Sequence, residues 1–170
     1  MNEQEHNKNE EEYFITYLSF TIRDKTSCLN PESVTEALGI QPSWSYKRGE
    51  KYSSKRPADS RGQTAVERQR PFTVWGLRTD SVLESDELDR HCQTLLEWLE
   101  PQKTILEQYL GQPESYYIEI SIWTEHSDWI ISYGLDSDLL IRLSKLCHGI
   151  GFSNICYGDD DPSSNMVGHK

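Results

Sequence analysis

Three isoleucines at alternate positions, Ile118, Ile120 and Ile122, with Tyr117, Glu119, Ser121 and Trp123 between them, predict a strand with one apolar face and one mixed face. The isoleucine face must be covered by another layer, so this strand cannot stand alone. The same alternation occurs near the start of the chain. There Phe14, Leu18, Phe20 and Ile22 oppose Tyr13, Tyr17, Ser19 and Thr21, as a half-buried strand requires.

Helical patterns supply the covering layer. Asn30-Pro31-Glu32 offers an N-cap, a proline at the first helical position and a carboxylate at the positive end of a short helix that stops at Gly39. Leu88, Cys92, Leu95 and Leu99 form an apolar stripe behind a cap at Asp86, and Pro101 interrupts or restarts that helix before Ile105, Leu106, Tyr109 and Leu110. Leu139, Leu140, Leu143, Leu146, Cys147 and Ile150 predict a last helix, ended by Gly149 and Gly151. Further strands are expected at Pro71–Leu77, at Asp128–Leu135 as the antiparallel partner of the isoleucine strand, and at Phe152–Tyr157. This order predicts an α+β two-layer sandwich, a mixed or mostly antiparallel sheet of about five strands with helices on one face.

The 170 residues suit one domain, expected over 13–157. Residues 1–12 carry five glutamates and no large apolar side chain besides Met1, which predicts a disordered acidic tail. A polar flexible tail is expected at 158–170. Between these ends, 43–70 has no period and reads as a long basic loop. Pro42 to Arg70 holds eight basic residues against three acidic ones, inside a chain of net charge −11.

That overall charge disfavours nucleic acid as a partner, because phosphates need a field of the opposite sign. No apolar run approaches the roughly twenty residues that cross a bilayer, and the acidic start lacks a signal-peptide pattern. A cytoplasmic protein with no membrane association is expected. The four cysteines form no Cys-x-x-Cys pair and read as reduced, mostly buried thiols.

Two surfaces are candidates for binding. In the basic segment, Lys47, Arg48, Arg56 and Arg61 beside Trp44, with Glu50 and Trp75, can hold an anion or an acidic partner while an aromatic ring stacks. A solvated loop that neutralises an acidic body fits the same residues. The second surface is the sheet face with Tyr13, Tyr17, Tyr117 and Trp123, which is open if the helices cover the isoleucines, or closed if the loop or a second subunit packs over it.

Other constellations read as structural. His91-Cys92 and Cys147-His148 resemble a split zinc set, but their cysteines lie on apolar helix stripes and adjacent helical residues diverge by about 100°. Asp159-Asp160-Asp161 reads as a solvated charge run, and Glu125, His126 and Asp128 as a surface turn. No metal, no cofactor and no catalytic residue is assigned. The common phosphate-loop, dinucleotide, nucleophile-elbow and zinc-protease signatures do not occur.

The run Val34-Thr35-Glu36-Ala37-Leu38-Gly39-Ile40-Gln41-Pro42, then Lys47-Arg48-Gly49-Glu50 and, after a gap, Trp75-Gly76, resembles an uncharacterised, mainly bacterial family, domain of unknown function 4279. The likeness covers Tyr13 to Tyr157. It implies an α+β domain with no established activity, found near bacterial toxin and immunity systems, and it carries no catalytic residue over. The expected function is a non-catalytic binding or protein-interaction domain, in the family's context an immunity-like partner of a toxin. The alternatives are a nucleic-acid or nucleotide-binding module that uses the basic loop, and an enzyme of unknown class. Oligomeric state is left open.

Overall fold

A computed structural model describes residues 15–54, 66–126 and 134–156. The expected tails at 1–12 and 158–170, Tyr13, Arg56 and Arg61, Asp159 to Asp161, and most of the strand expected at Asp128–Leu135 lie outside the described residues.

The chain runs β1 (Ile15–Asp24), α1 (Pro31–Leu38), β2 (Trp44–Tyr46), β3 (Lys51–Ser54), β4 (Val66–Gln69), β5 (Val74–Arg78), α2 (Leu88–Leu99), α3 (Lys103–Leu110), β6 (Tyr116–His126), α4 (Ser137–Ser144) and β7 (Gly149–Cys156). Five strands form one mixed sheet in the order β2-β5-β1-β6-β7, and β3 pairs with β4 separately. The longest strands meet at the centre, β1 antiparallel to β6 from Ile15↔Glu125 to Asp24↔Tyr116. Among the described strands only β7 is parallel to its neighbour in this sheet. The architecture is α+β.

Even-numbered side chains of β1 and β6 build the core. Leu18, Phe20, Ile22, Ile118, Ile120 and Ile122 are buried with Trp75 and Leu77 of β5, under Val34 and Leu38 of α1, the α2 stripe, Leu106 of α3 and Leu139 and Leu143 of α4. Asn30 caps α1 through its side chain, and Gly39 ends it at φ 66°, a left-handed conformation that a Cβ disfavours. Helix α2 begins at Leu88 behind Glu87, which makes no side-chain cap bond, so Asp86 is not the cap. Pro101 falls in the short 3-10 turn between α2 and α3, where its missing N–H costs nothing.

Buried polar groups fasten the layers. His91 on α2 is fully buried, with Nε2 2.8 Å from the Ser85 carbonyl and Nδ1 2.7 Å from Thr79 Oγ1. A carbonyl only accepts, so Nε2 carries the proton and Nδ1 accepts from the Thr79 hydroxyl. Thr79 Oγ1 in turn accepts the N–H of Leu18 at 2.9 Å. One threonine thus joins β1 to α2.

Two elements differ from the expectation. The last helix stops at Ser144, and Ile150 lies in β7. Leu146 and Cys147 keep their buried positions through a turn, while His148 meets β6 twice, its N–H donating to the Ile118 carbonyl and its Nδ1 accepting from the Ile118 N–H. The 43–70 segment is not all loop, because it contains β2, β3 and β4. Strands of three or four residues are too short to display a period.

Candidate functional site

The helices cover one face of the sheet, and the opposite face carries the odd-numbered residues of β1 and β6 together with Trp44, Tyr46, Gly76 and Arg78. At one end of that face lies a cleft of about 300 Å³ lined by Tyr17, Ser19, Ser43, Trp44, Arg78 and Trp123. Three strands and the start of a fourth contribute to it.

Each wall is held by a specific neighbour. Tyr17 and Trp123 are cross-strand partners whose rings stack at 5.9 Å with an interplanar angle of 10°. The Trp123 indole N–H donates to Ser19 Oγ at 3.1 Å, which fixes the ring's direction. The Arg78 guanidinium lies 4.1 Å from the centre of the Tyr17 ring and pairs through two nitrogens with the Asp80 carboxylate. Its backbone N–H donates to Ser43 Oγ at 2.8 Å.

Trp44 depends on an absence. A Cβ at Gly76 would overlap Trp44 Cζ2 and Cε2, so the indole lies against bare backbone of the neighbouring strand. A glycine in a strand interior often marks such a close approach.

Away from the cleft, the same face alternates cations and rings. The Arg70 guanidinium sits 4.1 Å from the centres of both Tyr46 and Tyr52. Arg23 lies over Tyr117 at 5.2 Å and over Phe72 at 5.5 Å, and His148 stacks on Tyr117 at 5.9 Å. Gly149 leaves room for the Tyr117 hydroxyl, which would be 2.6 Å from a Cβ there.

A family model described as Domain of unknown function (DUF4279) matches residues 12–157. The chain belongs to the DUF4279 family. No curated protein and no solved structure matches it. In this DUF4279 domain two of the three runs that carried the resemblance meet in space. Trp75 donates its indole N–H to Thr35 of α1 at 3.0 Å, Gly76 receives Trp44, and Lys47-Arg48-Gly49-Glu50 forms a tight turn with Gly49 at φ 82°.

The DUF4279 fold separates some expected site residues and joins others. Trp44 of the first candidate surface and Tyr17 and Trp123 of the second share the cleft, and Tyr117 lies farther along the same face. Trp75 is fully buried on the helix side, because it is one residue out of step with Trp44's partner Gly76. Lys47 pairs with Glu32 at 2.8 Å and lowers that carboxyl's pKa. Arg48 donates to Ser27 Oγ at 2.8 Å, and a Glu50 carboxylate oxygen accepts the Lys47 N–H. Sequence reasoning missed Ser19, Ser43 and Arg78. Arg78 ends a strand whose inward residues are apolar, and that position is the signal that could have marked it.

Cys92 and Cys147 are buried in the core, and Cys28 is exposed. Burial pushes the Cys92 thiol up to about 12 and the Cys147 thiol up to about 11. His148 has both ring nitrogens within hydrogen-bond distance of protein atoms, Ile118 N and Leu110 O.

Proposed function

We propose that this DUF4279 chain is a non-catalytic binding domain that engages a protein partner through the open face of its sheet. The observation that carries the reading is the cleft of Trp44, Tyr17 and Trp123, in which each ring is held by a neighbour before any ligand arrives. Preorganised aromatics on a rigid sheet lose little entropy on binding and are the residues that dominate interfaces. Among the described residues, no carboxylate, histidine or cysteine lines the cleft, which supports binding rather than proton transfer.

A net charge of −11 favours a basic partner through steering. An immunity-like domain that occludes a basic toxin in the cytoplasm is one form of this reading. No helix among the described residues is long and apolar enough to cross a membrane.

The nucleic-acid reading draws on the cations of the open face and the basic segment. Several of these are engaged within the protein: Lys47 with Glu32, Lys51 with Glu67, Arg23 with Glu119 and Arg78 with Asp80. This supports the protein partner over the phosphate backbone.

Capture from native extract tests the reading. The wild type and Gln93→Arg, altered on the exposed side of α2, should retain one discrete protein at moderate salt, and Ser121→Arg on the open face should lose it. Retention by all three rejects the face as the contact. Recovery of nucleic acid alone, released by salt, favours the second reading.

A further inference from the structure

We infer that the cleft is a socket for one uncharged aromatic side chain of a polypeptide partner. This rests on the reading of the open face as a protein-binding surface and names what the cleft in that surface accepts.

Size comes first. A volume of about 300 Å³ stands at the lower limit of the roughly 300–1,000 Å³ found for small-molecule pockets. One ring system fills it. Shape is the second restriction, because Tyr17 and Trp123 are nearly parallel and Trp44 lies on the backbone of Gly76. Flat walls favour a flat guest through offset or edge contacts.

Charge is the third. Aromatic walls alone attract cations, but the Arg78 guanidinium rests on Tyr17 and places a positive charge in the cleft. That charge is balanced by two hydrogen bonds to Asp80. A cationic guest meets repulsion from Arg78, and an anionic guest competes with a carboxylate already in place. A neutral ring meets neither penalty. The hydroxyls of Ser19 and Ser43 lie in the lining, where they can meet the polar edge of a phenol or indole.

A nucleobase is also flat and neutral. It brings phosphates to a face where Arg78 and Arg23 already have the carboxylate partners Asp80 and Glu119, on a chain of net charge −11. The polypeptide side chain is therefore the better guest.

The test uses the intact chain and the indole N–H signals of its five tryptophans in two-dimensional NMR, assigned by single Trp→Phe variants. The probes are N-acetyl-tyrosinamide, N-acetyl-tryptophanamide, N-acetyl-leucinamide, N-acetyl-argininamide and adenosine. Tyrosinamide and tryptophanamide should move the Trp44 and Trp123 signals saturably in the millimolar range and leave the buried Trp75 signal in place. Leucinamide and argininamide should bind at least fivefold more weakly. Gly76→Ala, which displaces Trp44, should weaken the aromatic amides at least fivefold while the remaining signals keep their native dispersion.

Equal binding of leucinamide overturns the socket in favour of a generic apolar groove, and tighter binding of adenosine overturns it in favour of a nucleobase. No shift with any probe also overturns it. If the socket fails while Ser121→Arg still abolishes capture of the partner, the open-face reading stands alone. If Ser121→Arg has no effect, the broader reading falls whatever the probes do.

Discussion

The indole N–H of Trp75 donates to the hydroxyl of Thr35 across 3.0 Å, and this single bond ties the helix after β1 to the strand beside β1. The Trp75 ring also meets Phe20 edge-on at 6.4 Å. Thr35 donates its own proton to the Pro31 carbonyl, so its oxygen is the natural acceptor for the indole.

Thr35→Val keeps the shape of that side chain and removes the acceptor. The buried Trp75 N–H is then unsatisfied, at a cost of about 1–3 kcal/mol. Trp75→Ala removes the whole ring from the core and should cost about 3–5 kcal/mol. Urea unfolding followed by circular dichroism measures both; a Thr35→Val change within error of zero means the bond contributes nothing.

Gly76→Ala should destabilise the fold by about 1–3 kcal/mol, because the new methyl overlaps the Trp44 ring. In a Trp44→Ala background the same change should cost much less. The double-mutant cycle therefore predicts a coupling of at least about 0.5 kcal/mol, and additive costs reject the close packing of this pair.

Thr79→Val strands the Leu18 N–H, which the Thr79 oxygen accepts, and leaves His91 Nδ1 without its donor. A loss of about 2–4 kcal/mol is expected for two buried polar groups left unmatched. Nitrogen NMR of the wild type should find His91 protonated on Nε2, and a Nδ1–H signal contradicts the network.

At pH 8 a bulky thiol reagent should modify the exposed Cys28 at least tenfold faster than Cys92 or Cys147. The buried thiols also make stability fall in alkali. Unfolded cysteine ionises near about 8.5, whereas folded Cys92 and Cys147 hold their protons up to about 12 and about 11. The folded chain binds more protons between those values, so stability present below pH 8.5 declines as pH rises toward 11. Replacing Cys92 by Ala should flatten that decline in urea titrations from pH 8 to 10.5.

The central strands and the helices over them were legible because long elements write their period into the sequence. Leu18, Phe20 and Ile22 on one side, and Tyr17 and Ser19 on the other, stand as alternation requires. The end of α4 was misread because Leu146, Cys147 and Ile150 continue a helical spacing after the backbone has turned into β7. At the cleft, Tyr17 and Trp123 could be placed on one face from strand parity. Their meeting with Trp44 could not, since it depends on β2 pairing with β5 and on which β5 residue lacks a side chain. Strand order is a long-range choice that local pattern does not encode.

The pairing of β1 with β6 also governs when this protein can fold. As the chain leaves a ribosome, Ile15 waits for Glu125 and Asp24 for Tyr116, and β5 is the one earlier strand that can join β1 in the sheet. Closing so long a loop before its contacts form is slow. One edge of β1 therefore stays without its longest partner until Tyr116–His126 has been made, and an unpaired strand edge is the feature that makes a partly folded chain prone to aggregate.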